Sequence, residues 1–287
     1  MAGQGSKRTR RGGGRSWMPW LAALGGVGAL GYLRQRYQHR ATYLPERYPT
    51  GLWNPRLRGL EAEDVWFETV DHIQLHGWWI PHPEARGTIL YCHGRTGSLA
   101  HYVRVFRRLQ TLEMSILAFD YRGYGRSAGK PGERGLCADA RAAYDYLQRE
   151  LGQRARDIIL FGHSLGGAVA VDCARHRPVA GLVVESSFTD LRDMARLKAG
   201  RFPIHWIARN GFRSIKKVGK LECPKLFIHG TADSTVPLEL GLRLFDAAAE
   251  PKELLLIEGA SHHDTHLRGG ETYYRRLVDF FDFVLGF

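Results

Sequence analysis

Phe161-Gly162-His163-Ser164-Leu165-Gly166-Gly167 is the stretch on which the reading of this chain turns. Ahead of it runs Asp157-Ile158-Ile159-Leu160-Phe161, a short apolar run of the kind that forms a buried strand. Behind it, Ala168-Val169-Ala170-Val171-Asp172-Cys173-Ala174 reads as a helix. Strand, Gly-x-Ser-x-Gly, helix is the pattern of a nucleophile elbow. So tight a turn leaves little room for a Cβ at Gly162 or Gly166, and it lifts the Ser164 hydroxyl clear of the chain. A glycine-rich turn with a chance serine is the bland alternative, and the strand and helix on either side argue against it.

Outward from the elbow, strands and helices alternate. Residues 65–70 and 73–80 flank Asp71-His72 and predict an antiparallel hairpin. Strands follow at 88–92, 115–119, 157–161, 179–184, 225–229 and 253–257, with helices at 101–112, 135–151, 165–176, 238–249 and 271–285 between and after them. This rhythm predicts an α/β fold with a mostly parallel central sheet flanked by helices, occupying 64–287. Residues 194–221 interrupt the rhythm with eight basic residues, no acid and several aromatics, and read as a short basic lid. It reads either as a face for anionic lipid heads or an acidic substrate, or as a solvated cap with a packed underside.

A serine needs a base, and the base a carboxylate to orient it. In sheets that carry such an elbow the partners follow in the order Ser, acid, His, each just past a strand end. Asp233, in the loop after 225–229, is the candidate acid; Glu185, directly after 179–184, is its rival. After 253–257 come Ser261-His262-His263-Asp264-Thr265-His266. His262 is the candidate base, His263 the close rival, and His266 lies a turn further on. Three histidines beside Asp264 also suggest a metal, but no second ligand cluster accompanies them, so no metal is assigned. Backbone N–H groups must hold the oxyanion. Leu165 supplies one at the helix start, and Arg95, in the His93-Gly94-Arg95 loop, is the candidate for the second. His93 precedes the serine and reads as structural.

The 287 residues are 44% hydrophobic, ample for one sizeable core. The net charge of +12 is lopsided: residues 1–40 hold eight of the 41 Lys and Arg and no acid, leaving 33 basic against 29 acidic residues, or +4, elsewhere. That balance gives no reason to expect a nucleic-acid partner. Residues 1–16 read as a disordered basic tail and 34–63 as a connector. Residues 17–33 carry no charge and, as a helix, span about 25 Å, the short end of a membrane crossing. Trp17, Trp20 and Tyr32 stand at its ends with arginines beyond. A single-pass N-terminal anchor is expected, with a cleaved signal peptide as the alternative and the side of the catalytic domain left open. The four cysteines show no paired or metal-ligand spacing and predict no disulfide framework.

His93-Gly94, Asp120-Tyr121-Arg122-Gly123-Tyr124-Gly125-Arg126-Ser127, Gly162-His163-Ser164-Leu165-Gly166-Gly167, Glu185-Ser186-Ser187-Phe188, His229-Gly230-Thr231-Ala232-Asp233 with Val236-Pro237, and Gly259-Ala260-Ser261-His262 occur in this order. Together they resemble the α/β-hydrolase superfamily of serine hydrolases, in particular its membrane-anchored α/β-hydrolase-domain proteins and bacterial serine aminopeptidase-like proteins. The resemblance implies an α/β-hydrolase fold, a triad of Ser164, Asp233 and His262, and ester or thioester hydrolysis without a cofactor. Two positions depart from that branch: Arg95 and His263 both stand where it carries Asn. The expected protein is a membrane-anchored hydrolase of acyl esters or thioesters, such as acyl lipids or acylated proteins. An amidase or aminopeptidase with the same triad is the alternative, and a non-catalytic membrane scaffold is the reading from another class.

Overall fold

The central strands of this chain are apolar on both faces, and such strands are stable only with helices packed above and below. The computed structural model describes Met1, residues 39–199 and residues 211–287. In chain order the strands are β1 (Leu44–Pro45), β2 (Glu63–Glu68), β3 (Gln74–Ile80), β4 (Gly87–Cys92), β5 (Thr96–Gly97), β6 (Met114–Phe119), β7 (Ile158–His163), β8 (Gly181–Glu185), β9 (Lys225–Gly230) and β10 (Lys252–Ile257). The helices are α1 (Val103–Gln110), α2 (Glu133–Arg149), α3 (Leu165–Ala174), α4 (Leu191–Ala199), α5 (Leu238–Asp246), α6 (Thr265–Arg268) and α7 (Gly270–Leu285). Eight strands form one sheet in the order β10-β9-β8-β7-β4-β6-β3-β2. Only β3 runs against its neighbours, pairing antiparallel with β2 and β6.

Every residue of β4, β6 and β7 is buried, whereas β2 at the edge alternates, with Val65 and Phe67 inward and Trp66 out. The sheet divides the core into two halves. Leu90, Leu117, Leu160 and Leu182 pack with α2 and α3; Ile89, Ile116, Ile159 and Val183 pack with α1 and α7 on the other face. Each such side chain contributes about 1.5–3 kcal/mol by leaving water. Cys92, Cys137 and Cys173 belong to this buried set, as small hydrophobes. The chain runs outward from β4 to β6, then returns to place β7 on β4's other side. That reversal opens a crevice at the C-terminal ends of β4 and β7, where open α/β sheets bind their ligands.

The packed unit begins at Thr42, well before the expected boundary at Asp64. The cause is β1: it pairs in parallel with β5, and Leu44 N–H and Glu46 N–H donate to the carbonyls of Arg95 and Gly97. The lid region is described only in part, as α4 and short 3₁₀ turns at Ser214–Lys216 and Val218–Lys220. Residues 200–210, the tail beyond Met1 to residue 16 and the expected membrane segment at 17–33 lie outside the described residues. Among the described residues no helix is long and apolar enough to cross a membrane.

Candidate active site

Ser164 joins β7 to α3 with φ 56° and ψ −117°, a left-handed conformation that non-glycine residues rarely adopt. The surroundings enforce it. Ser164 N–H donates to Glu185 O at 2.8 Å, and its carbonyl accepts from Gly167 N–H at 3.0 Å and Ser187 Oγ at 2.9 Å. A Cβ on Gly166 would sit 1.9 Å from the Cys92 carbonyl oxygen, and one on Gly162 would lie 2.4 Å from the Gly166 carbonyl. No side chain fits there, so the glycines that mark the elbow in sequence are required by its sterics.

His262 Nε2 lies 2.9 Å from Ser164 Oγ, and His262 Nδ1 lies 2.7 Å from Asp233 Oδ2. A carboxylate only accepts, so Nδ1 carries the proton and Nε2 offers its lone pair to the serine hydroxyl. The other oxygen of Asp233 accepts from the N–H groups of Thr235 and Val236, both at 2.8 Å. Burial alone would raise the Asp233 pKa; the bond and charge of His262, with the Val236 amide and His229, outweigh it and hold the carboxyl below its usual range. Asp233 thus stays ionised and fixes the imidazole's tautomer. All three side chains belong to buried residues.

The rivals named from sequence go elsewhere. Glu185 accepts from Thr265 Oγ1 at 2.6 Å and Tyr273 Oη at 3.0 Å, and so fastens α6 and α7 behind the His262 loop. His263 is exposed, its ring centroid 4.7 Å from that of His262. His163 donates from Nε2 to the His262 carbonyl at 3.0 Å, a tie between elbow and base loop that no spacing in the sequence signals. One nitrogen each of His163, His262 and His263 lies within 4.8 Å of the others, so His163 rather than His266 completes the histidine group. A soft cation gripped there would take His262 away from Ser164.

Leu165 is the first residue of α3, where the N–H points out of the helix and the helix dipole favours negative charge. The second proposed oxyanion donor, Arg95, lies in a loop held from several sides. His93 Nδ1–H donates to the Gly94 carbonyl at 2.7 Å. That carbonyl and the Arg95 N–H share one trans peptide and point in opposite directions, so His93 sets the donor's aim. Burial lowers the His93 pKa to about 4, which keeps the ring neutral, with one N–H. The Arg95 carbonyl accepts from Leu44 N–H at 3.0 Å and Tyr124 Oη at 2.9 Å. Tyr121 Oη donates to the His93 carbonyl at 3.0 Å, and Asp120 Oδ1 accepts from Leu99 N–H at 2.9 Å. Residues 120–127, a motif without a visible role in the sequence, are the brace under this loop. Gly94 itself lies against the nucleophile: a Cβ added there would be 3.7 Å from Ser164 Cβ.

Residues 83–216 match the family described as serine aminopeptidase, S33. An uncharacterised protein of Mycobacterium tuberculosis is 37% identical over 81% of this chain and 83% of its own length. The α/β-hydrolase domain-containing protein WAV2 of Arabidopsis thaliana is 31% identical over 86% of this chain and 88% of its own. The Pyrococcus furiosus esterase Pf2001 superposes with a TM-score of 0.71 at 25% identity, over 85% of this chain and all of the esterase. Sheet order, elbow and these likenesses agree: the chain belongs to the α/β-hydrolase superfamily of serine hydrolases and is a hydrolase.

Proposed function

We propose that the protein hydrolyses carboxylic esters or thioesters through an acyl-enzyme on Ser164, with acyl lipids or acylated proteins as substrates. The observation that carries this reading is the unbroken chain Ser164 Oγ, His262, Asp233, with links of 2.9 and 2.7 Å. Ser164 Oγ attacks the acyl carbonyl as its proton passes to His262 Nε2. The C–O or C–S bond breaks, and the leaving group takes that proton. Water then gives a proton to His262 and attacks the acyl-enzyme; Ser164 recovers the proton as the carboxylic acid departs. The N–H groups of Leu165 and Arg95 hold the oxyanion in both halves, and loss of one such donor costs about 10²–10³ in kcat.

The family description that matches part of the chain names an aminopeptidase, which keeps amide hydrolysis as the second reading. A site that grips a free N-terminus needs a carboxylate to spare. Glu185 is engaged by Thr265 and Tyr273, and Asp233 by His262 and two amides, which favours esters. We place the enzyme on a membrane through residues 17–33, with the basic 194–221 segment as a second lipid contact. Release into the soluble fraction on deleting residues 1–40 tests the first of these. A panel of graded acyl esters, thioesters and aminoacyl amides tests the chemistry. Ester or thioester turnover should fall by about 10⁴–10⁶ in Ser164→Ala. Turnover of amides alone reverses the ranking.

A further inference from the structure

The triad accounts for the chemistry but not for a cleft beside it. A cavity of about 750 Å³ is lined by Arg58 and by Arg104, Arg107 and Arg108 of α1, with Tyr102 and His263 in its wall. His101 and His266 also border it, and no Asp or Glu does among the described residues. Val103, Phe106 and Leu109 turn the apolar side of α1 into the core, which leaves its three arginines together outside. Like charges three and four apart destabilise a helix. None of the four arginines is paired with a carboxylate among the described residues; Glu46 pairs with His101 at 3.3 Å and Asp264 with Arg268 at 3.5 Å. Charge of one sign lining a concave surface focuses the field and concentrates anions there.

Neither Ser164 nor His262 lines the cleft, but residues of its wall reach toward them. Tyr102 Oη accepts from Gly94 N–H at 3.2 Å, and Gly94 packs on Ser164. His263, also in the wall, follows the candidate base, its ring centroid 4.7 Å from that of His262. Tyr102 and His263 thus link the basic cleft to the neighbourhood of Ser164 and His262. The volume fits within the range of ligand pockets, and guanidinium groups are the side chains best matched to phosphate oxygens.

We infer that this cleft receives the leaving group of the substrate, and that the leaving group carries phosphate. The proposal rests on the hydrolase reading above and adds the substrate class: an acyl ester of a phosphorylated alcohol or an acyl thioester of a phosphorylated thiol. Phosphodiester and monoester lipid headgroups and the phosphates of coenzyme A share this chemistry, and the assay separates them.

Two matched pairs are compared on the full chain: 1-acylglycerol 3-phosphate against 1-acylglycerol, and acyl-coenzyme A against the acyl thioester of N-acetylcysteamine. The phosphorylated member of at least one pair should be preferred by about tenfold or more in kcat/KM, chiefly through KM. The pair that shows the preference names the source. In Arg104→Gln/Arg107→Gln/Arg108→Gln that preference ratio should fall about tenfold, and the three corresponding Lys substitutions should restore part of it. Equal turnover within both pairs, or a ratio untouched by the triple variant, overturns the proposal and leaves the hydrolase reading intact. Calorimetry with free coenzyme A and with glycerol 3-phosphate on Ser164→Ala tests the cleft without turnover. Binding of either that the triple substitution abolishes supports a phosphate site in the cleft whether or not the hydrolase reading holds, and binding of neither contradicts the proposal. A triple variant that loses only adhesion to anionic phosphatidylglycerol vesicles, with the substrate ratio unchanged, makes the cleft a membrane contact and also overturns it.

Discussion

Two backbone turns face each other across the crevice, and they are built on opposite principles. The elbow after β7 is held by close approach of backbone: Gly162 lies against the Gly166 carbonyl of its own turn and Gly166 against the Cys92 carbonyl of β4, so neither position admits a side chain. The loop after β4 has no such internal constraint. Its peptide planes are aimed by a histidine ring, a strand at residue 44, and two tyrosines from the 120–127 segment. One turn is fixed chiefly by side chains that are missing, the other by hydrogen bonds that are donated. The first should therefore break all at once, the second by degrees.

The elbow gives the largest effect. Gly166→Ala forces a Cβ to 1.9 Å from the Cys92 carbonyl. We expect a cost of about 3 kcal/mol or more and, in whatever protein folds, at least about 10³ off kcat/KM, read by denaturant unfolding and ester turnover. Near-normal activity would mean the turn has slack that its contacts deny. The remote loop should respond less. His93→Ala removes the donor on the Gly94 carbonyl and should lower kcat by about 10²; His93→Asn, which keeps an N–H in similar reach, should recover part of it. A loss confined to KM would contradict an oxyanion role for Arg95. Tyr124→Phe deletes one of two donors to the Arg95 carbonyl, with Leu44 N–H still in place, and should cost about threefold to tenfold in kcat.

A separate effect is one of pH and is read in stability rather than in turnover. The His93 pKa falls from the usual 6.5 to about 4 on folding, and burial also lowers those of His163 and His229. Below about pH 6.5 the unfolded chain binds protons that the folded one refuses, so stability drops as pH falls toward 4. Asp233, held low, pulls the same way. Asp139, whose carboxyl is raised to about 6 by burial against its bonds to Arg122, pulls the other way. The urea midpoint should fall between pH 7.5 and 5, His93 alone contributing about 2 kcal/mol, and His93→Asn should flatten that slope. An unchanged slope would mean the ring charges freely in the folded state.

The same contrast explains what could be read from the sequence. The parallel sheet followed from apolar runs at regular intervals, and the elbow from two glycines whose absent side chains leave a local mark. The pairing of Ser164 with Asp233 and His262 followed from chain order at strand ends. Braces acting across the fold leave no local mark. Nothing near Tyr124 says that its hydroxyl reaches residue 95, and nothing near His163 that it holds the backbone of 262. Residues 34–63 read as a connector because the partners of Leu44 and Glu46, residues 95 and 97, are distant in sequence. The arginines of α1 carry no mark of a site in the sequence, because only the fold brings Arg58 and His263 to the same cavity.

The central claim, that Ser164 becomes the acyl carrier, is tested most directly by treating the full chain with a fluorophosphonate and reading its intact and peptide masses. One adduct per chain, on the peptide that holds Ser164 and absent from Ser164→Ala and strongly slowed in His262→Gln, is the predicted result. Labelling that persists in Ser164→Ala, or no labelling of the folded protein at neutral pH, would contradict it.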